Sequence, residues 1–164
     1  MGTKHTIKKI ILWIKSELKN DYPAQEVESF VFIIFKQLLG YSKAQMHLKQ
    51  EDLLDDVLVE KIKFYISELK NYKPIQYILG KTEFYDLLFL VNPDVLIPRP
   101  ETEELVELII KENQNCFNKI LDIGTGSGCI AIALAKNLSK SYVYAVDNAT
   151  DALAITRRNS KLNN

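Results

Sequence analysis

The stretch Ile120-Leu121-Asp122-Ile123-Gly124-Thr125-Gly126-Ser127-Gly128 sets an acid and three alternate glycines at the end of an apolar run. A second run, Tyr142-Val143-Tyr144-Ala145-Val146, also closes on an acid, Asp147. Alternate glycines let the backbone bend sharply and bring a ligand against bare main chain, with no Cβ in the way. Asp147 falls nineteen residues past Gly128. At that spacing it belongs at the tip of the neighbouring strand, where a carboxylate can accept both hydroxyls of a ribose.

The spacing also separates nucleotide classes. A dinucleotide fingerprint reads G-x-G-x-x-G, and this chain carries Cys129 where its third glycine belongs. Asp122 argues the same way, because a carboxylate beside a pyrophosphate cradle repels the anion that a helix N-terminus would attract. The same charge favours a ligand with an ammonium and a sulfonium. S-adenosylmethionine has both cations, a ribose for Asp147, and no phosphate. The plainer reading, glycines that only shape a tight turn, leaves the two acids without a role.

These residues need a frame. The first apolar run reads as a buried parallel strand and the other as a second strand, joined by a crossover helix from Cys129 to Asn137 and followed by a final helix from near Ala149. That is half of a nucleotide-type α/β fold. Ahead of it, Ile97-Pro98-Arg99-Pro100-Glu101-Thr102-Glu103 is a proline-fixed extended entry to a helix through Leu105, Leu108 and Ile109. Its glutamates suit the helix dipole, and the entry also suits holding Thr102 and Glu103 against the cofactor pocket; spacing does not choose between these readings. From Glu83 the period is that of strands, and Phe84-Tyr85 and Leu88–Val91, separated by Asp86-Leu87, predict a β-hairpin before the turn Asn92-Pro93-Asp94.

The N-terminal half is helical in pattern. Ile7, Ile10, Ile11, Ile14 and Leu18 recur at helical spacing, and a second stripe from Val27 to Leu38 runs between Pro23 and Gly40. Ser42 is placed to cap a short helix through His47, and Asp52 to open a long one through Leu69. The stripes read as bundle core. Lys plus Arg equals Asp plus Glu at 21 each, so the 164-residue chain has no basic footprint for nucleic acid. Its hydrophobic content of 47% suffices for a core, and its longest apolar run is far too short for a membrane span. Cys116 and Cys129 have no disulfide or zinc-type spacing, and His5 and His47 no partner of ligand or triad type, so no metal is expected and a reducing cytoplasm fits. Met1-Gly2-Thr3-Lys4-His5-Thr6 formally matches a myristoylation pattern short enough to arise by chance.

Taken together, Pro74-Ile75-Gln76-Tyr77-Ile78-Leu79-Gly80, Glu83-Phe84-Tyr85, Pro98-Arg99-Pro100-Glu101-Thr102-Glu103, the glycine stretch and Ala145-Val146-Asp147 resemble the PrmC/HemK family. Its members methylate peptide chain release factors. The resemblance runs from about the first helix to the last residue, and Pro100-Glu101-Thr102-Glu103 follows the release-factor version rather than that of a sister family acting on a ribosomal protein.

The resemblance implies an α/β protein in three parts: a helical bundle over 1–80 for substrate recognition, a β-hairpin linker over 81–98, and over 99–164 the first half of a class I S-adenosylmethionine-dependent methyltransferase domain of Rossmann-like type. It implies methyl transfer to the side-chain amide nitrogen of the glutamine in a release factor's Gly-Gly-Gln motif, by a cytoplasmic monomer that contacts neither membrane nor nucleic acid directly. Cofactor contacts are expected from Thr102, Glu103, Asp122, Gly124, Thr125, Gly126, Ser127, Gly128 and Asp147. An amide nitrogen is a poor nucleophile, and in the family an Asn-Pro-Pro-Tyr loop aligns it. Here Asn92-Pro93 precedes the glycine stretch and continues with Asp94, so no residue of this chain is expected to be catalytic. By family pattern the last two fifths of the protein are missing, and these residues alone are expected to be inactive and marginally folded toward the C-terminus. Another amino-group methyltransferase, acting on a ribosomal protein, DNA or RNA, and a non-catalytic protein-binding module are the alternatives.

Overall fold

The computed structural model describes residues 5–164, so the myristoylation-type N-terminus lies mostly outside the described residues. The chain divides into two compact units, 1–78 and 79–164.

The first unit is helical: α1 (Ile7–Leu18), α2 (Ala24–Leu39), α3 (Lys43–Leu48), α4 (Asp56–Lys70) and, at its end, α5 (Ile75–Leu79). α1 packs on α2 and α4. The expected stripes supply the core, with Ile7, Ile14, Leu18, Ile34, Phe35, Ile62 and Leu69 almost fully buried. Ser42 caps α3 in a reciprocal capping box with Gln45.

The long helix does not begin at Asp52. Asp55 caps it, its carboxylate accepting the Leu58 N–H at 2.7 Å. Residues 50–54 instead run beside the start of α1, where the Gln50 and Asp52 carbonyls accept the N–H groups of Lys8 and Ile7 at 2.9 and 3.0 Å. Leu54 N–H returns to the His5 carbonyl at 2.9 Å. The first turn of any helix has N–H groups without intrahelical partners, and here main chain satisfies them. That use of the 50–54 backbone excludes Asp52 from opening a helix.

The second unit holds a hairpin, β1 (Lys81–Phe84) and β2 (Leu87–Leu90), then α6 (Glu101–Asn113), β3 (Lys119–Ile123), α7 (Cys129–Asn137), β4 (Tyr142–Val146) and α8 (Thr150–Asn163). The hairpin turn is Tyr85-Asp86, one residue earlier than expected, and Phe84 pairs with Leu87. Both turn residues are left-handed, at φ 48° and 58°, which suits the twist of a two-residue hairpin. Phe84 and Phe89 meet edge to face and lie buried with Val106, Ile110, Ala133, Leu134 and Leu138. On α6 the buried residues are therefore Val106 and Ile110, while Leu105 and Leu108 face solvent.

Within this unit the hairpin is hydrogen-bonded to α8. Asn159 takes the Leu90 N–H on Oδ1 at 2.7 Å and returns Nδ2 to the Leu90 carbonyl at 3.0 Å. One turn later the Asn163 Nδ2 donates to the Leu88 carbonyl at 2.9 Å. Four residues of helix advance about 6 Å and two of strand about 6.6 Å, so asparagines four apart match alternate residues of a strand. In this way α8 caps an edge that would otherwise be exposed.

β3 and β4 pair in parallel, Lys119 with Tyr142 through Ile123 with Val146. The reading of the first as a buried strand needs correction, and the second shares its exposed face. α7 covers one face, against which Ile120 and Val143 are partly buried, but Leu121, Ile123, Tyr142 and Tyr144 on the other face are 55%, 78%, 65% and 53% exposed. Apolar residues on both faces are what a parallel strand carries when helices lie on both sides.

Candidate cofactor site

The turn after β3 is held by the end of β4 and by Asp122 and Asp147. Gly124 and Thr125 both donate their N–H groups to the Val146 carbonyl, at 2.9 and 3.0 Å, which locks the loop to the end of β4. Asp147 accepts the Gly126 N–H on Oδ2 at 2.8 Å and the Ala149 N–H on Oδ1 at 3.0 Å. Thr125 donates its hydroxyl to Asp122 Oδ2 at 2.6 Å, and Gly128 N–H closes on the Thr125 carbonyl at 2.8 Å. Asp122, residues 124–128 and Asp147 thus form one hydrogen-bonded unit at the strand ends.

The glycines differ in what they do. Gly124, Gly126 and Gly128 all have positive φ, which a glycine adopts without steric cost. At Gly124 a Cβ would enter open space, whereas at Gly128 it would lie 2.8 Å from the Thr156 methyl and 3.0 Å from Ile132 Cδ1. The loop is open on its outer side and in contact with α8 behind.

The electrostatics disfavour a phosphate. The N–H groups of Gly124, Thr125, Gly126 and Gly128 are donated within the fold, and two carboxylates flank them. An anion here would meet negative charge and few free donors. Asp147 is held ionised: the N–H bonds from Ala149 and Gly126 push its carboxyl below the usual range. Burial pushes the Cys129 thiol up, away from the lowered values of activated cysteines.

Thr102 and Glu103 stand in the first turn of α6. The Glu103 carboxylate accepts the Tyr85 N–H at 2.9 Å, pinning the first turn of α6 to the hairpin tip. The Thr102 N–H donates to the Arg99 carbonyl at 3.0 Å, and its side chain is half-buried. Among the described residues no group of His, Cys, Asp and Glu could hold a metal ion, and no helix is long and apolar enough to cross a membrane.

Two residues of the site were not expected. Thr156 donates its hydroxyl to the Gly126 carbonyl at 2.7 Å, and Asn159 donates Nδ2 to the Ser127 carbonyl at 2.8 Å. A signal for them exists in the chain. Ala152, Ile155, Thr156 and Asn159 make the buried stripe of α8, and two uncharged polar groups on such a stripe need partners in the core.

Comparison with known proteins adds the lineage. A profile of the PrmC N-terminal domain matches residues 9–80, and a profile of ribosomal protein L11 methyltransferase (PrmA) matches residues 101–164. Alignments that cross both parts are to release factor glutamine methyltransferases. A release factor glutamine methyltransferase of Flavobacterium psychrophilum is 47% identical over 150 residues, covering 89% of this chain and 53% of that protein. One from Bacteroides thetaiotaomicron is 42% identical over 153 residues, covering 93% and 55%, and one from Streptococcus pneumoniae 43% identical over 146 residues, covering 85% and 50%. Over residues 9–80 the chain is similar to the PrmC N-terminal domain, and across both parts to release factor glutamine methyltransferases. It spans about half the length of the curated relatives it matches.

Proposed function

We propose that this chain is the donor-binding part of a methyltransferase that moves a methyl group from S-adenosylmethionine to the side-chain amide nitrogen of the glutamine in the Gly-Gly-Gln motif of a peptide chain release factor. The observation that carries the reading is the glycine loop clasped between Asp122 and Asp147, the N–H groups of Gly124, Thr125, Gly126 and Gly128 already engaged and its outer side open. The names of the relatives support it. S-adenosylmethionine, when bound, supplies a methyl group activated on a sulfonium. Asp147 spends one bond per oxygen on main chain, which leaves carboxylate lone pairs for the ribose hydroxyls. Asp122 offers negative charge to the cationic end, and Gly124 to Gly128 offer close main-chain approach; Thr102 and Glu103 are assigned to the same site. In this reading the helical unit recognises the release factor, and the protein works as a monomer in the cytoplasm.

Among residues 1–164 there is no Asn-Pro-Pro-Tyr sequence. Asn92 is a turn residue, its Nδ2 donating to Asp94 Oδ2 at 2.6 Å. These 164 residues are therefore expected to bind the donor without turning over a release factor. Calorimetry with S-adenosylmethionine, S-adenosylhomocysteine and NAD tests the choice of cofactor. Binding of the two sulfur nucleosides with no response to NAD supports it, and tight NAD binding without them overturns it. The PrmA match over 101–164 favours a second reading, transfer to a ribosomal protein. Radiolabel transfer by a form that carries the Asn-Pro-Pro-Tyr loop, with release factor and ribosomal protein as competing acceptors, discriminates the two.

A further inference from the structure

We propose that Thr156 and Asn159 are positioning residues of the glycine loop, and that Asn159 couples that loop to the β1–β2 hairpin. In a trans peptide the carbonyl and the following N–H point in opposite directions, and all described peptides are trans. Thr156, by holding the Gly126 carbonyl, turns the Ser127 N–H away from α8. Asn159, by holding the Ser127 carbonyl, turns the Gly128 N–H away from α8 and toward the Thr125 carbonyl. Two side chains behind the loop thus set the direction of its donors in front.

Asn159 is suited to this by its amide. Fully buried, it uses one acceptor and two donors at once, taking the Leu90 N–H and donating to the Leu90 and Ser127 carbonyls. An aspartate would keep the acceptor and lose both donors. Any displacement of β2 along this bond pair reaches Ser127 through a single planar group. Asn163 provides an internal control, because it bonds the Leu88 carbonyl and the main chain of Asn159 but no loop carbonyl.

The inference rests on the adenosyl-donor reading only in holding that loop shape governs binding, so the test has two readouts. Nitrogen-proton spectra of the labelled chain follow the amides of Gly124, Gly126 and Gly128, and calorimetry follows S-adenosylhomocysteine. T156V keeps the branched shape and removes the hydroxyl; T156S keeps the hydroxyl. The expected result is displaced loop resonances and about tenfold weaker binding in T156V, both restored in T156S, with the loop unmoved in N163A. Loop resonances that stay put in T156V, that T156S does not restore, or that move as far in N163A would overturn the inference. Should the unsubstituted chain take up no S-adenosylhomocysteine, the donor reading falls, and the loop resonances alone decide the positioning role.

Discussion

Replacing Gly128 by alanine should be far costlier than replacing Gly124, although both belong to the same loop and both are left-handed. At Gly124, φ is 75° and nothing stands within 4 Å of a new Cβ, so the cost is the backbone strain of an L-residue there, about 1 kcal/mol. At Gly128, φ is 82° and the Cβ would sit 2.8 Å from the Thr156 methyl and 3.0 Å from Ile132 Cδ1. Ile132 can swing its terminal carbon, but Thr156 is β-branched and held by its hydroxyl on the Gly126 carbonyl. Overpacking of that kind adds roughly 1–3 kcal/mol, for a total of about 2–4 kcal/mol. Urea unfolding followed by far-ultraviolet circular dichroism measures both variants. A double variant that adds Thr156→Ser removes the obstructing methyl, keeps the hydroxyl, and should recover part of the loss. Equal costs at Gly124 and Gly128, or no recovery in the double variant, would refute the claim that α8 packs directly against the loop.

Asp147 should titrate below the ordinary aspartate value of about 3.9, since the Ala149 and Gly126 N–H bonds stabilise its charged form. A folded-state pKa below the unfolded one gives stability that is present above the unfolded pKa and lost as pH falls through the folded value. Following the Gly126 amide against pH checks this, and a midpoint at or above the ordinary value contradicts it. Asp55→Ala should destabilise the first unit by about 1 kcal/mol through loss of the α4 cap, while Asp52→Ala, whose side chain caps nothing, should cost much less. Chemical denaturation of the two variants distinguishes the observed helix start from the expected one. On the second unit, Leu134→Ala should cost about 2–5 kcal/mol at a fully buried site, and Ile123→Ala less than about 1 kcal/mol at one that is mostly exposed. Similar costs would mean that the open face of the β3–β4 sheet is covered in solution.

Periodicity alone set much of this protein. The helical stripes of the first unit, α7 from Cys129 to Asn137, and the strand, glycine bend and strand that bring Asp122 and Asp147 together all follow from local pattern. Such features are legible because side-chain direction repeats every 3.6 residues in a helix and every two in a strand. Glycines and acids further mark bends and strand ends by their own chemistry. Tertiary structure decided the rest, because those outcomes depend on partners distant in sequence. Asp52 lost the helix start to Asp55 when its main chain went to α1, and Glu103 joined a hairpin tip eighteen residues away. The carbonyls of Gly126 and Ser127 found Thr156 and Asn159 some thirty residues on. A buried polar group must be satisfied wherever the fold brings a partner within reach, and local pattern carries no record of that distance.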